Sequence, residues 1–261
     1  MKKIWALLSA FLLVFLFISL SDVFSFVKSD LSILLRRALV VFSALLFFVF
    51  YFLMKKMKTV LSDKKHIPYA VCAAFLSLSV IALSIYKFYS VTVLKAVVSN
   101  ISFFASPYFY IGYTVLGLFG AVYYLTVAIS EFTGEKHYIQ HPIFSLMPSL
   151  WLCYALFVSF AENVGSVSNI ENGIKTLAIA FSMIFMFYKA RKTCFNEKED
   201  NMSALFGSLA FVFSFSGAVG FFASFIVNQK AFSVVFLENI VLIFMALYAF
   251  FFLTSIREEK N

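Results

Sequence analysis

Carboxylates beside asparagines are the feature of this sequence most suggestive of chemistry, because they recur near the ends of long apolar runs. The dipeptide Glu-Asn occurs three times, at Glu162-Asn163, Glu171-Asn172 and Glu238-Asn239. A carboxylate in or near hydrocarbon needs a cation, a hydrogen-bonding partner or a water-filled cavity, and therefore marks a candidate functional site. Glu238 is the deepest of the three, one to two turns inside its apolar run.

The candidate binding residues fall at the same predicted side of the chain. Trp151 precedes Glu162 at a spacing that places both side chains on one helical face. Asp22, at the end of the first apolar run, belongs to the same side. We therefore predict a polar binding site composed of Asp22, Trp151, Glu162, Glu238 and Asn239. Lys87, Lys175 and Arg37 are the cations that we expect to find nearest Glu238.

Each carboxylate also has a structural interpretation, which the sequence leaves open. Ser168-Asn169-Ile170-Glu171 fits a capping box at the start of a helix. Glu162 would lie in the interface at the end of its helix, and Glu238 is favoured by the macrodipole near a helix N-terminus. An ion pair that fixes helix register would need no ligand.

Catalytic chemistry is poorly represented. Ser214-Phe215-Ser216-Gly217 resembles part of an intramembrane serine protease motif, but the following run holds no histidine to serve as a base, and a serine without a base is not activated. The three histidines, His66, His137 and His141, lie in predicted loops or helix ends. The three cysteines have no metal-binding spacing. We expect no enzymatic activity, no metal and no cofactor.

The composition of the chain predicts that these residues are carried by transmembrane helices. The chain is 62% hydrophobic and 13% charged, whereas a soluble domain is near half apolar and a quarter charged. The apolar residues form runs of roughly 20, enough to cross a bilayer as helices. We predict an all-α single domain, residues 1–261, with eight transmembrane spans at about 4–26, 34–54, 67–87, 106–130, 143–162, 172–190, 204–227 and 233–255.

Charge asymmetry predicts the orientation of these spans. With the N-terminus inside, twice as many of the 21 basic residues fall on the inner side as on the outer side. The positive-inside rule then places both termini in the cytoplasm of a cell-membrane protein. We interpret the first run as a retained helix, since no small-residue cleavage site follows it; if it were cleaved, seven helices would keep the same orientation.

Small residues predict close packing. Gly117 in helix 4 and Gly217 in helix 7 lie among further glycines, alanines and serines, so we expect these two helices to form the tight centre of the bundle. Residues 88–105 are too apolar for an ordinary loop. We interpret them as an interfacial or re-entrant piece, the alternative being that they extend helices 3 and 4.

One segment carries a resemblance. Pro148-x-x-Trp151, the turn with Asn163 and Glu171, and the helix ending Lys189-Ala190-Arg191 are similar to a segment of uncharacterised multi-pass proteins from Gram-positive anaerobes. The resemblance implies a bacterial polytopic membrane protein, and it assigns no role to any residue.

These observations favour one function and leave a second open. The net charge of +8 comes from residues beside helix ends and does not indicate nucleic-acid binding. The partners expected are the lipid bilayer and, in addition, a membrane protein or a small ligand of unknown identity. We expect a non-catalytic membrane sensor or partner protein with an outward-facing polar pocket among helices 1, 5, 6 and 8. The alternative is a small-solute or ion permease.

Overall fold

The computed structural model describes residues 2–23, 41–52, 59–61, 65–93, 107–135, 142–163, 170–195, 201–227 and 234–258. Within them are eight helices: α1 Lys2–Val23, α2 Val41–Phe52, α3 Ile67–Thr92, α4 Pro107–Thr133, α5 Pro142–Asn163, α6 Ile170–Phe195, α7 Asn201–Val227 and α8 Val234–Ser255. Two short strands, β1 Thr59–Leu61 and β2 Ile256–Glu258, form an antiparallel pair. The predicted helical fold is confirmed, and the strand pair is an addition to it.

Six of these helices, α3 to α8, are long and apolar enough to cross a membrane. The 26 residues of α3 rise about 39 Å, which exceeds the roughly 30 Å of bilayer hydrocarbon. The protein therefore fits the class of multi-pass membrane proteins. The apolar parts of α1 and α2, Trp5–Leu20 and Val41–Phe52, are shorter, so the first two of the eight predicted spans stay predictions.

The six long helices pack in a closed ring. Each contacts the next along the chain from α3 to α8, and α8 returns to contact α3. Helix α1 packs outside this ring, mainly against α7. There the Ser19 hydroxyl donates a hydrogen bond of 2.9 Å to the Ser216 carbonyl. Since six helices enclose more space than four, the ring has an interior that side chains must fill.

Helix α7 is the most buried element, as its small residues predict. Of its 27 residues, most from Ser203 to Phe221 are buried. The expectation for α4 is wrong in part, because α4 packs mainly against α3 and α5 and not against α7. One face of α4 is exposed, with Val115, Val122 and Leu125 each more than 40% accessible. Its glycines face α3 and α5 instead; at Gly120, for example, an added Cβ would lie 3.5 Å from the Cα of Pro148 in α5.

The end of helix α3 differs from the predicted span in a way that affects Lys87. Helix α3 continues to Thr92, so the first residues of 88–105 extend this helix, while 94–106 lie outside the described residues. Because α3 extends beyond the predicted span, Lys87 lies inside the helix and not at its end.

The strand pair lies at one end of the ring. Val60 pairs with Arg257, which places the chain before α3 beside the end of α8. We name this side, where α3 begins and α8 ends, the Lys189 end, and the opposite side the Glu238 end.

Candidate functional site

Glu238 lies at the Glu238 end between two lysines from different helices. One carboxylate oxygen, Oε1, forms an ion pair with the Lys87 ammonium, and Oε2 forms another with the Lys175 ammonium. Glu238 is 9% exposed and Lys87 is 3% exposed. The prediction that Glu238 points into the bundle beside a cation is confirmed, while Arg37 lies outside the described residues.

Three helices bring these charges together. Glu238 is on the second turn of α8, Lys175 is on the second turn of α6, and Lys87 is in the last two turns of α3. The two ion pairs place the end of α3 and the beginning of α6 beside the beginning of α8. A buried carboxylate is costly unless it is paired and hydrogen-bonded, and here each oxygen has its own cation.

A cavity opens beside this cluster. Its lining comes from α3, α4, α5, α6 and α8, so it lies within the ring; the lining residues are Leu83, Lys87, Tyr113, Trp151, Leu152, Ala155, Ser159, Lys175, Ile179, Glu238, Val241 and Leu242. The space open to the centre of a water-sized sphere is about 30 Å³. One buried water needs about 10–15 Å³ of such space, so the cavity has room for two or three waters or one small ion.

The charged groups in the lining are unequal in number. Among the described residues, two lysines and one glutamate contribute, which is an excess of one positive charge within this part of the chain. Most of the other lining residues are apolar, and a low-dielectric wall strengthens the attraction of such an excess for an anion. The arrangement is suited to binding a small monovalent anion, whose charge would bring the lining to neutrality.

The structure places the five residues of the predicted site differently. Trp151 and Glu238 line the cavity. Asn239 is buried, but it is not part of the lining, and its side-chain amide donates a hydrogen bond of 2.8 Å to the Val235 carbonyl in its own helix. The side chains of Asp22 and Glu162 lie outside the part of the chain that the structure describes, as does that of Glu171.

The predicted set of helices also needs correction. The pocket was expected among helices 1, 5, 6 and 8, but the described residues of α1 contribute nothing to its lining, because α1 packs on the outside of the ring. Helices α3 and α4 take part in its place.

Aromatic side chains shape the wall nearest Lys87. The Lys87 ammonium lies over the Tyr113 ring, 5.6 Å from its centroid. The Tyr113 and Trp151 rings are 5.8 Å apart between centroids. Sequence reasoning missed Tyr113, because one tyrosine among several in α4 gives no signal of which face is internal.

A third lysine reaches the ring interior, at the Lys189 end. Lys189 of α6 donates hydrogen bonds to the hydroxyls of Tyr69 and Tyr248, the latter at 2.5 Å. Its ammonium also lies 4.6 Å from the Tyr248 ring centroid and 5.0 Å from that of Phe252, within the range of cation–π attraction. The sequence count treated Lys189 as a cytoplasmic flanking charge, whereas it joins α3, α6 and α8 inside the ring.

Comparison with known proteins gives no match: no protein family, no curated protein and no solved structure is detectably similar to this chain. The described ranges also hold no group of three or more metal-ligating side chains. The cavity is therefore the feature of the described residues that bears on function.

Proposed function

We propose that this protein is a non-catalytic membrane sensor that binds a small monovalent anion in the cavity at the Glu238 end, opening to the outer face of the cell membrane. The observation that carries the proposal is the lining of two lysines and one glutamate in an otherwise largely apolar cavity. The size of the space favours a halide or formate over larger anions.

The outward direction rests on the distribution of basic residues. Lys87, Lys175 and Lys189 lie inside the ring and should be removed from the positive-inside count, and the excess of basic residues stays on the same side without them. Both termini are then cytoplasmic, and the Glu238 end is external. At the Lys189 end, Lys189 ties three helices together, which supports binding without passage and hence sensing.

The test is the effect of anions on thermal unfolding of the purified protein at constant ionic strength. Replacing sodium gluconate with sodium bromide or formate should raise Tm with saturation, since a ligand that binds only the folded state stabilises it by mass action. Lys175→Met should abolish the increase, because Lys87 and Glu238 are left as a neutral pair. Lys192→Met, on the same helix at the other end, is the matched control. An equal increase in both variants would contradict the proposal.

A permease for the same anions is the second candidate. The specific observation in its favour is that Lys189 lies in the interior of the same ring, at the end opposite the cavity, so that a cation is present near each end of one helical assembly. Proteoliposomes loaded with a halide-sensitive dye separate the two functions. Bromide entry that is lost in Lys175→Met would establish transport, whereas bromide binding without entry would favour the sensor.

A further inference from the structure

The volume of the cavity beside Glu238 limits the ligand more closely than its charge does. The space open to the centre of a water-sized sphere is about 30 Å³, which is room for two or three waters. Each water has one non-hydrogen atom, so a ligand of two or three such atoms would fill the cavity. A halide is a single atom, and a bound halide would leave room that only water could occupy.

Lys175 is the more accessible of the two lysines in the lining. Its side chain is 13% exposed, whereas that of Lys87 is 4% exposed. An ammonium group has three N–H donors, and that of Lys175 uses one of them for the Oε2 atom of Glu238. Lys175 can therefore donate to an anion in the cavity while it keeps its ion pair with Glu238.

A hydroxyl from the neighbouring helix lies beside Lys175. Ser159 of α5 is 3% exposed and belongs to the lining. Its hydroxyl oxygen is 3.5 Å from that of Thr176, which follows Lys175 in α6. Because the Thr176 hydroxyl donates to the Asn172 carbonyl at 2.8 Å, Ser159 is the donor in this contact, and 3.5 Å is long for such a bond. An anion is a stronger acceptor than a neutral oxygen, so it would draw the Ser159 hydroxyl to itself.

Two donors from adjacent helices favour an anion with two acceptor atoms. A carboxylate has two oxygens, so one can accept from the Lys175 ammonium and the other from the Ser159 hydroxyl. The lining residues one turn from these donors, Ala155 and Ile179, are apolar, which suits a hydrogen bonded to carbon. We infer that the ligand is a bent anion of three non-hydrogen atoms, such as formate, held through one oxygen by Lys175 and through the other by Ser159. This inference rests on the proposed function and narrows it, because Ser159 then determines the preference for a two-oxygen anion over a halide.

A comparison of anions with the purified protein tests this preference. The dependence of Tm on anion concentration, at constant ionic strength, gives an apparent dissociation constant for each anion. The constant for formate should be at least about tenfold below that for bromide, because a halide at Lys175 would leave the Ser159 hydroxyl to a water. Nitrite, which is also bent and has two oxygens, should resemble formate. Acetate has a fourth non-hydrogen atom, and its constant should be at least about tenfold above that of formate.

Ser159→Ala identifies the second donor. It should raise the constant for formate at least about tenfold and change that for bromide by less than about twofold, so that the two anions become similar. The matched control is Ser149→Ala, a buried serine of the same helix whose hydroxyl donates to the Leu146 carbonyl at 2.7 Å. This control should keep the preference for formate. A role of Ser159 in folding alone would weaken both anions equally.

The outcomes separate this inference from the proposed function. Equal constants for formate and bromide in the unmodified protein, or an unchanged preference in Ser159→Ala, would overturn this inference alone where the anion effect on Tm still depends on Lys175. Acetate binding as tightly as formate would contradict the limit of three atoms and with it the same inference. An anion effect on Tm that survives Lys175→Met would overturn the proposed function.

Discussion

A carboxylate on the second turn of α8 has lost most of its water, so groups from other helices must balance its charge. Glu238 does this with Lys87 and Lys175, one ammonium for each oxygen. The two ammonium groups depend on this carboxylate in turn, and Lys87 is buried. Removing one partner of a buried ion pair usually costs more than the pair itself contributes.

Glu238→Gln should therefore be severely destabilising although it preserves shape. We expect a loss of about 3–5 kcal/mol in the free energy of unfolding, since the neutral amide no longer offsets the charges of the Lys87 and Lys175 ammonium groups. Denaturation in detergent, followed by circular dichroism, measures it. Glu131→Gln is the control: Glu131 is half-buried at the other end of the ring and accepts a hydrogen bond of 3.3 Å from the His66 backbone N–H, so we expect a loss of about 1 kcal/mol.

Similar losses in the two variants would mean that Glu238 does not support the lysines.

A further variant separates the contribution of charge from that of packing. Replacing Lys87, Lys175 and Glu238 together with methionine should recover most of the stability, as buried ion clusters exchanged for apolar side chains often do, while binding of bromide disappears.

Sequence reasoning succeeded for Glu238 and its lysine partners and failed for Tyr113 and Lys189, for a physical reason. A carboxylate inside an apolar run can only be tolerated beside a partner, so its inward direction and the cationic partner were predictable. Lys189 gave no such signal, because a lysine near a helix end is equally stable in the membrane interface. Only the packing of α3, α6 and α8 decides which way each points.

Helix positions were predictable to within a few residues, since apolar runs and first-turn prolines mark them. Their order around the ring was not. The small residues of α4 and α7 predict close approach but not the partner, and each helix proved to use them against different neighbours. In α7, Gly217 faces α6, where an added Cβ would lie 3.3 Å from the Ile174 Cγ2 atom.

Gly217→Leu should therefore separate α6 from α7 and lower the free energy of unfolding by about 1–3 kcal/mol, the usual cost of overpacking. Val227→Leu on the same helix, at a position 51% exposed, should leave it unchanged. Thermal unfolding in detergent provides the comparison. Because Lys175 lies beside this contact, Gly217→Leu should also weaken bromide binding, and unchanged stability and binding together would show that α6 and α7 do not pack closely at Gly217.

At the scale of the whole molecule, the helices of the ring end either at the Lys189 end, where the strand pair lies, or at the Glu238 end. The distribution of basic residues predicts that the Lys189 end is cytoplasmic. Two exposed positions report on this: Val93, which follows α3 at the Glu238 end, and Glu135, which follows α4 at the Lys189 end. Each can carry a single cysteine once Cys72, Cys153 and Cys194 are changed to alanine.

In intact cells, a membrane-impermeant maleimide should label Val93→Cys and not Glu135→Cys, because the excess of basic residues holds the Lys189 end in the cytoplasm. Permeabilisation should make both cysteines reactive, which shows that each side chain is accessible. Labelling of Glu135→Cys without permeabilisation would reverse the orientation. The anion cavity would then open to the cytoplasm, and the protein would sense an internal anion through the same two lysines.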